Sequence, residues 1–240
     1  VAEPDHLLPF VLPVETVLAE RQERIDLYLP NTADPAPAIV FVPGGPIPAD
    51  LEPTPRDWPV YRGYGSLAVT RGIVGVTVDH RLHSAADYPQ AADDVAMAIR
   101  GVLSDHRVDA DRIALWFFSG AGLLLADWLR DPPGWLRAVA ASYPLLDELP
   151  GREVDPRFRP AAALADAGEL PIVLTRVGRE RPALAATVAR FVESAERAGA
   201  RLTIVDVPAG RHGFDAIDPT EESRTAVRRA FELVADALNG

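Results

Sequence analysis

The stretch Ile113-Ala114-Leu115-Trp116-Phe117-Phe118 carries no ionisable side chain and ends on one hydroxyl, Ser119, followed by three small residues, Gly120-Ala121-Gly122. A run this apolar is satisfied as a strand only when both faces are covered, the situation of a central strand in a parallel sheet. Leu123-Leu124-Leu125-Ala126-Asp127-Trp128-Leu129 then reads as a helix. A strand that gives way to a helix across small residues needs a tight turn with little room for a Cβ. Such a turn lifts the Ser119 hydroxyl above the sheet, with a helix N-terminus behind it, where developing negative charge is favoured. The competing reading is an ordinary serine N-cap after a buried strand. Partners elsewhere in the chain decide between the two.

The rest of the sequence alternates in the same way. Residues 14–20 and 23–29 read as two early strands, the second from the alternation of Ile25, Leu27 and Leu29 with Asp26 and Tyr28. Ala38–Val42 is a short apolar strand that stops at Pro43-Gly44-Gly45-Pro46. Tyr61, Tyr64, Leu67 and Ala68 have helical spacing, and Ile73–Val78 is the next strand. A helix from Pro89 carries Val95, Ile99, Val102 and Leu103 on one face. Beyond the central stretch come a strand over Leu136–Tyr143, a loop over 147–160, a short helix over Ala161–Ala167 and a strand over Pro171–Thr175. An amphipathic helix through Leu184, Val188, Phe191 and Ala195 ends near Gly199. Leu202–Val207 is the last strand, and Val227 to Leu238 mark a closing helix. The alternation implies an α/β fold, a mostly parallel sheet with helices on both faces. With 240 residues, 48% of them hydrophobic, one domain over 1–240 is expected, its first 13 residues irregular. Ligands of such a sheet bind beyond the carboxyl ends of the strands.

Charge and composition narrow the function. A net charge of −11 argues against nucleic acid and anionic membrane surfaces as partners. No apolar run approaches the ~18 residues of a membrane span. The acidic start, Val1-Ala2-Glu3-Pro4-Asp5, has neither the basic nor the apolar region of a signal peptide. Cysteine is absent, so thiolate and disulfide chemistry are not available. These features lead to the expectation of a cytoplasmic protein, monomer or homodimer, acting on a small molecule.

A serine nucleophile needs a base within hydrogen-bond reach. Of the five histidines, His212 follows the last strand and precedes the last helix, which puts it on the same sheet edge as Ser119. A third group, an acid, must orient the imidazole. Glu180 is the carboxylate in the loop after the strand ending at Thr175, and Asp147 is its rival after the preceding strand. Gly44 and Gly45 sit in the loop after an earlier strand and let the backbone approach a ligand closely, whereas Pro43 and Pro46 have no N–H to offer. Trp58, Tyr61, Tyr64, Phe118 and Phe214 flank these loops and are candidates for an apolar pocket, helix packing being the alternative for the tyrosines. Asp79, His80 and His83 lie close together, but two histidines three apart in a loop are a weak metal signal. A role in holding loops together is favoured for Asp79 and Arg81. No metal or cofactor is expected.

Phe117-Phe118-Ser119-Gly120-Ala121 resembles the nucleophile elbow G-x-S-x-G of the α/β-hydrolase family, with Phe117 and Ala121 in the glycine positions. Pro43-Gly44-Gly45-Pro46 resembles the H-G-G-G oxyanion loop of small esterases. Tyr88-Pro89 followed by Asp93-Asp94, and His212-Gly213-Phe214-Asp215, are similar to segments of dienelactone-hydrolase-like proteins and their serine relatives. The resemblance runs from about Pro37 to the C-terminus and implies the order Ser119, Glu180, His212 for a triad. It also implies an oxyanion hole from the N–H of Gly120 with Gly44 or Gly45, and little or no lid. The implied activity is hydrolysis of a small carboxylic ester or lactone through an acyl-enzyme. An acyltransferase or a lyase/cyclase using the same site is a second reading. A third is a non-catalytic binding protein in which the bulk of Phe117 has distorted the turn.

Overall fold

The computed structural model describes residues 4–151 and 153–240. One eight-stranded sheet has the order β1-β2-β4-β3-β5-β6-β7-β8. The strands are β1 (Glu20–Gln22), β2 (Ile25–Tyr28), β3 (Ala36–Val42), β4 (Val74–Val78), β5 (Val108–Phe118), β6 (Leu136–Ser142), β7 (Ile172–Val177) and β8 (Leu202–Val207). β2 runs antiparallel to β1 and β4, and every pair from β4 to β8 is parallel. The helices are α1 (Pro59–Val69), α2 (Tyr88–Ser104), α3 (Leu125–Arg130), α4 (Pro160–Ala163), α5 (Pro182–Ala198), α6 (Phe214–Ile217) and α7 (Glu221–Asn239). Among the described residues no helix is long and apolar enough to cross a membrane.

The period of two along the strands sorts side chains into two cores. Val40, Leu115, Phe117 and Val139 face α2, α3 and α5, together with Val95, Ile99, Leu125, Val188 and Phe191. Ile39, Phe41, Trp116, Phe118 and Ala140 face α1 and α7, together with Tyr64, Val227, Phe231 and Val234. β5 is buried on both sides over its last six residues, which is why that stretch can be wholly apolar. The chain goes from β3 outward to β4 and returns to β5 on the other side of β3. The β3–β5 boundary is therefore the switch point at which such sheets open a crevice at their carboxyl edge.

Three expectations need correction. The strand read over 14–20 is confined to Glu20–Gln22, because Val17 N–H donates to Ser66 Oγ at 3.0 Å and the segment crosses α1 instead of joining the sheet. The helix after Ser119 begins as a 3-10 turn over Ser119–Leu124 before α3. The short helix read over Ala161–Ala167 is α-helical only over Pro160–Ala163 and continues as a 3-10 turn over Leu164–Asp166.

Phe117 does not crowd the turn. Its side chain is fully buried in the core beneath α2 and α5 and takes no part in the cavity at Ser119. Phe117→Ala is expected to cost about 3–5 kcal/mol, the range for emptying a buried phenylalanine site. Chemical denaturation measures it, and a loss below about 1 kcal/mol would show that the core collapses around the gap.

Candidate active site

The turn after β5 is sharp. Ser119 has a φ of 49°, the left-handed region that costs a residue with a Cβ and is held only where surrounding structure demands it. The demand comes from close backbone packing. A Cβ on Gly120 would sit 1.7 Å from the Gly45 carbonyl oxygen, so only glycine allows the β3 loop to reach the turn. A Cβ on Gly44 would meet Ser119 Cβ at 2.9 Å, so the two loops touch at Ser119 itself. Leu145 N–H closes the other side by donating to the Ser119 carbonyl at 2.8 Å.

Three side chains from three strand ends meet here. Ser119 Oγ lies 2.7 Å from His212 Nε2, and His212 Nδ1 lies 2.6 Å from Glu180 Oε2. With the carboxylate ionised, Nδ1 carries the proton and donates it, leaving Nε2 to accept from the serine. The loops after β7 and β8 are stitched together to make this contact: Gly178 N–H donates to Val207 O at 2.9 Å and Arg179 N–H to Gly210 O at 2.9 Å. Arg211 pairs with Asp218 at 2.6 Å and anchors the start of the histidine turn. Glu180 is 5% exposed. Burial pushes its carboxyl up, but the hydrogen bond from His212 and that imidazole's charge outweigh burial and hold it below the usual carboxylate range. Arg181 does not compete for the oxygen that His212 uses. Its guanidinium is 70% exposed and lies 3.8 Å from the other oxygen, Oε1. Asp147, the rival acid, turns away and accepts from Arg190 on α5 at 2.7 Å.

The glycine loop is more occupied than its sequence implies. Gly44 N–H already donates to the Tyr61 hydroxyl at 3.1 Å. Gly120 is the second residue of its helical turn, where backbone N–H groups lack internal partners. The loop is pinned from behind by the segment after β4. His80 Nε2 lies 2.7 Å from Pro43 O, His83 Nδ1 lies 2.9 Å from Ile47 O, and Ile47 N–H donates to Leu82 O at 2.9 Å. Burial holds the His80 imidazole below its ordinary range, so it stays neutral. Nδ1 accepts from Leu82 N–H at 3.3 Å, which assigns the proton on Nε2 to Pro43 O. The histidines of this segment therefore act as loop anchors. Arg81 is held by the buried Asp94 at 2.6 Å and Asp79 lies 3.6 Å from Arg56. Among the described residues no group of three or more His, Cys, Asp or Glu is arranged to hold a metal ion.

A cavity of about 330 Å³ opens at Ser119 and His212, lined by Gly44, Gly45, Trp58, Tyr61 and Tyr143 and by His6 from the N-terminal turn. Trp58 and Tyr61 are thus brought to the site. Phe118 and Phe214 are not: both are completely buried in the core between the sheet and α1 and α7. Phe118 packs among Phe41, Tyr64 and Trp116, with its ring edge-on to Tyr61 at 5.2 Å. The alternation that puts Ser119 at the cavity turns Phe118 into the sheet face.

Two side chains with no role assigned from sequence line the same cavity, Tyr143 and Asp215. Asp215 is completely buried and accepts hydrogen bonds from Tyr143 (2.9 Å) and Tyr64 (3.0 Å). Burial pushes its carboxyl up to about 6. The folded protein therefore keeps this proton to higher pH than the unfolded chain does. The stabilisation it brings is present at acid pH and is lost as pH rises from about 4 through about 6. The Tyr143 ring stands edge-on to His212 at 4.9 Å and supports the imidazole. A carboxylate three residues after the histidine, in a stretch bound for the core, was the one available signal for Asp215.

The BD-FAE family model matches residues 25–127, which span the glycine loop and Ser119 but neither Glu180 nor His212. No curated sequence matches the chain. Among solved structures, DphMB1 superposes with a TM-score of 0.70 at 22% identity, covering 94% of this chain and 88% of its own. Esterase 2 of Thermogutta terrifontis phosphonylated by cyclosarin superposes with a TM-score of 0.69 at 21% identity, covering 96% and 95%. The same esterase with butyrate bound gives 0.66 at 20% identity, covering 95% and 94%. These similarities establish a shared fold.

Proposed function

We propose that this chain, which has the α/β-hydrolase fold, hydrolyses small carboxylic esters or lactones through an acyl-enzyme on Ser119. The observation that carries the reading is the unbroken relay from Ser119 Oγ to His212 to Glu180, with contacts of 2.7 Å and 2.6 Å. The fold is shared with an esterase whose structures include phosphonylated and butyrate-bound forms, which supports the same chemistry here.

The steps follow from the geometry. Ser119 Oγ attacks the ester carbonyl carbon while His212 Nε2 takes the hydroxyl proton. The carbonyl oxygen becomes an oxyanion, which accepts from Gly120 N–H on one side and from the Gly44-Gly45 loop on the other. Collapse of the tetrahedral intermediate breaks the bond to the leaving oxygen, and His212 returns its proton there, releasing the alcohol. Water then attacks the acyl-serine, His212 takes one of its protons, and the second collapse releases the acid and restores the Ser119 hydroxyl. Glu180 holds the imidazole in the tautomer that keeps Nε2 free and balances the imidazolium formed in each half-reaction. Trp58 and Tyr61 offer an apolar wall of the cavity, fit for a short chain or a small ring.

The acid is tested by comparing two variants in one assay. Wild-type protein is expected to release p-nitrophenol from p-nitrophenyl butyrate. Glu180→Gln should lower kcat by about 10⁴, as loss of the orienting carboxylate does in serine proteases. Asp147→Asn, whose carboxylate among the described residues meets only Arg190 and a backbone N–H, should lie close to wild type. The reverse ranking would move the acid to the end of β6. No hydrolysis of any short-chain ester or lactone by folded wild-type protein would overturn the proposed function.

A further inference from the structure

We infer that the Tyr61 hydroxyl is the second donor of the oxyanion hole, standing between the Gly44 N–H and the reacting carbonyl. The inference rests on the serine-hydrolase reading above and departs from it in one respect. The sequence offers a backbone N–H of the glycine loop as the direct donor. In the structure the Gly44 N–H is already committed, donating to Tyr61 Oη at 3.1 Å.

A phenol hydroxyl that accepts one hydrogen bond still has a proton to give. Among the described residues that proton has no protein acceptor, since the hydroxyl's one hydrogen bond is the one it accepts from Gly44. Tyr61 is 4% exposed, and a buried polar hydrogen without a partner calls for an explanation. The cavity supplies it. Tyr61 lines the same 330 Å³ space as Ser119 and His212. The residue holding its oxygen, Gly44, abuts the nucleophile so closely that a Cβ there would lie 3.5 Å from Ser119 Oγ. An oxyanion formed on a carbonyl bonded to Ser119 would lie within reach of this proton on one side and of Gly120 N–H on the other.

The arrangement suits catalysis for three physical reasons. The ring is fixed, edge-on to Phe118 at 5.2 Å and stacked on Trp58 at 6.0 Å, so the donor needs no reorganisation. Donation from Gly44 N–H into the phenol oxygen polarises the O–H and strengthens its own donation. Burial pushes the phenol well above its ordinary range, against the smaller opposing effect of the Gly44 N–H, so the hydroxyl keeps its proton across the working pH. The proton is shared with the oxyanion and not transferred, so no bond to Tyr61 forms or breaks.

Tyr61→Phe tests the assignment because it removes one oxygen and keeps the ring. Loss of an oxyanion donor lowers kcat by about 10²–10³, with KM for p-nitrophenyl butyrate little changed. A trifluoromethyl ketone, which adds to the serine as a tetrahedral oxyanion, should lose affinity by a similar factor. A non-hydrolysable ether analogue should bind as before. A residue that merely shapes the loop would weaken ketone and ether alike. If Tyr61→Phe stays within about threefold of wild type in kcat while Ser119→Ala is inactive, Gly44 N–H or Gly45 N–H serves directly and the inference is overturned, with the serine mechanism intact. If wild type neither hydrolyses esters nor is captured by the ketone, the underlying reading has failed instead. Should Tyr61→Phe not fold, 3-fluorotyrosine at position 61 keeps ring and hydroxyl while making the O–H a better donor. It should then tighten the ketone by at least about twofold, and unchanged affinity overturns the inference.

Discussion

Replacing Ser119 with alanine is expected to lower kcat for p-nitrophenyl butyrate by about 10⁶, the loss seen when a serine protease loses its nucleophile. The fold should survive. The Oγ that is removed makes its contact with His212, which is a site contact and not a core one. The backbone of the turn is set by the approach of Gly45 to Gly120 and by the Leu145 N–H to Ser119 O bond, neither of which involves the side chain. Alanine carries the same Cβ as serine, so the cost of a φ of 49° is carried equally by both. Circular dichroism and the melting temperature should match wild type, and covalent uptake of a fluorophosphonate should disappear. Turnover within tenfold of wild type, in protein shown free of contaminating esterase, would falsify the nucleophile assignment.

His212→Asn should be nearly as damaging, about 10⁶ in kcat, because nucleophile and base act as a unit. The pH profile gives the more specific reading. On the proposed mechanism, kcat/KM should fall on the acid side, because a proton on Nε2 would stop it accepting from Ser119. Glu180 is held below the usual carboxylate range, so it remains ionised through that limb and does not add a second proton to it. In the variant the histidine limb should vanish. Asp215, pushed up to about 6 by burial and hydrogen-bonded by Tyr143, is a further group lining the cavity that is able to bend the profile. Its ionisation is separable because Asp215→Asn removes it while leaving the Ser119–His212 contact in place. A variant His212→Asn with the wild-type rate and the wild-type acid limb would mean that another base serves Ser119.

The convergence of Ser119, Glu180 and His212 at the candidate site was legible because each of them follows a strand whose pattern is unmistakable. Ser119 ends a strand buried on both faces, Glu180 follows β7 and His212 follows β8. In a parallel sheet these ends share one edge, so chain position alone brings the three loops together. The pocket walls were less legible. Trp58 and Tyr61 reach the cavity, but Phe118 and Phe214 point into the core. An aromatic beside a catalytic residue in sequence lies beside it in space only if the turn faces it that way.

The sequence by itself determined the alternation of strands and helices, the edge at which chemistry can occur, and the hydroxyl and the imidazole that meet there, and it left two carboxylates in play. Those depend on hydrophobic period and on order along the chain, which are local properties. Tertiary structure alone decided which groups are already spoken for. Asp147 is lost to Arg190, and the Gly44 N–H is lost to Tyr61. His80 is turned into a loop anchor, and Asp215 is buried between two tyrosines. Each of these is a hydrogen bond between residues at least 17 positions apart. Such a bond is set by how helices and loops dock across the sheet, and no periodicity in the chain encodes it.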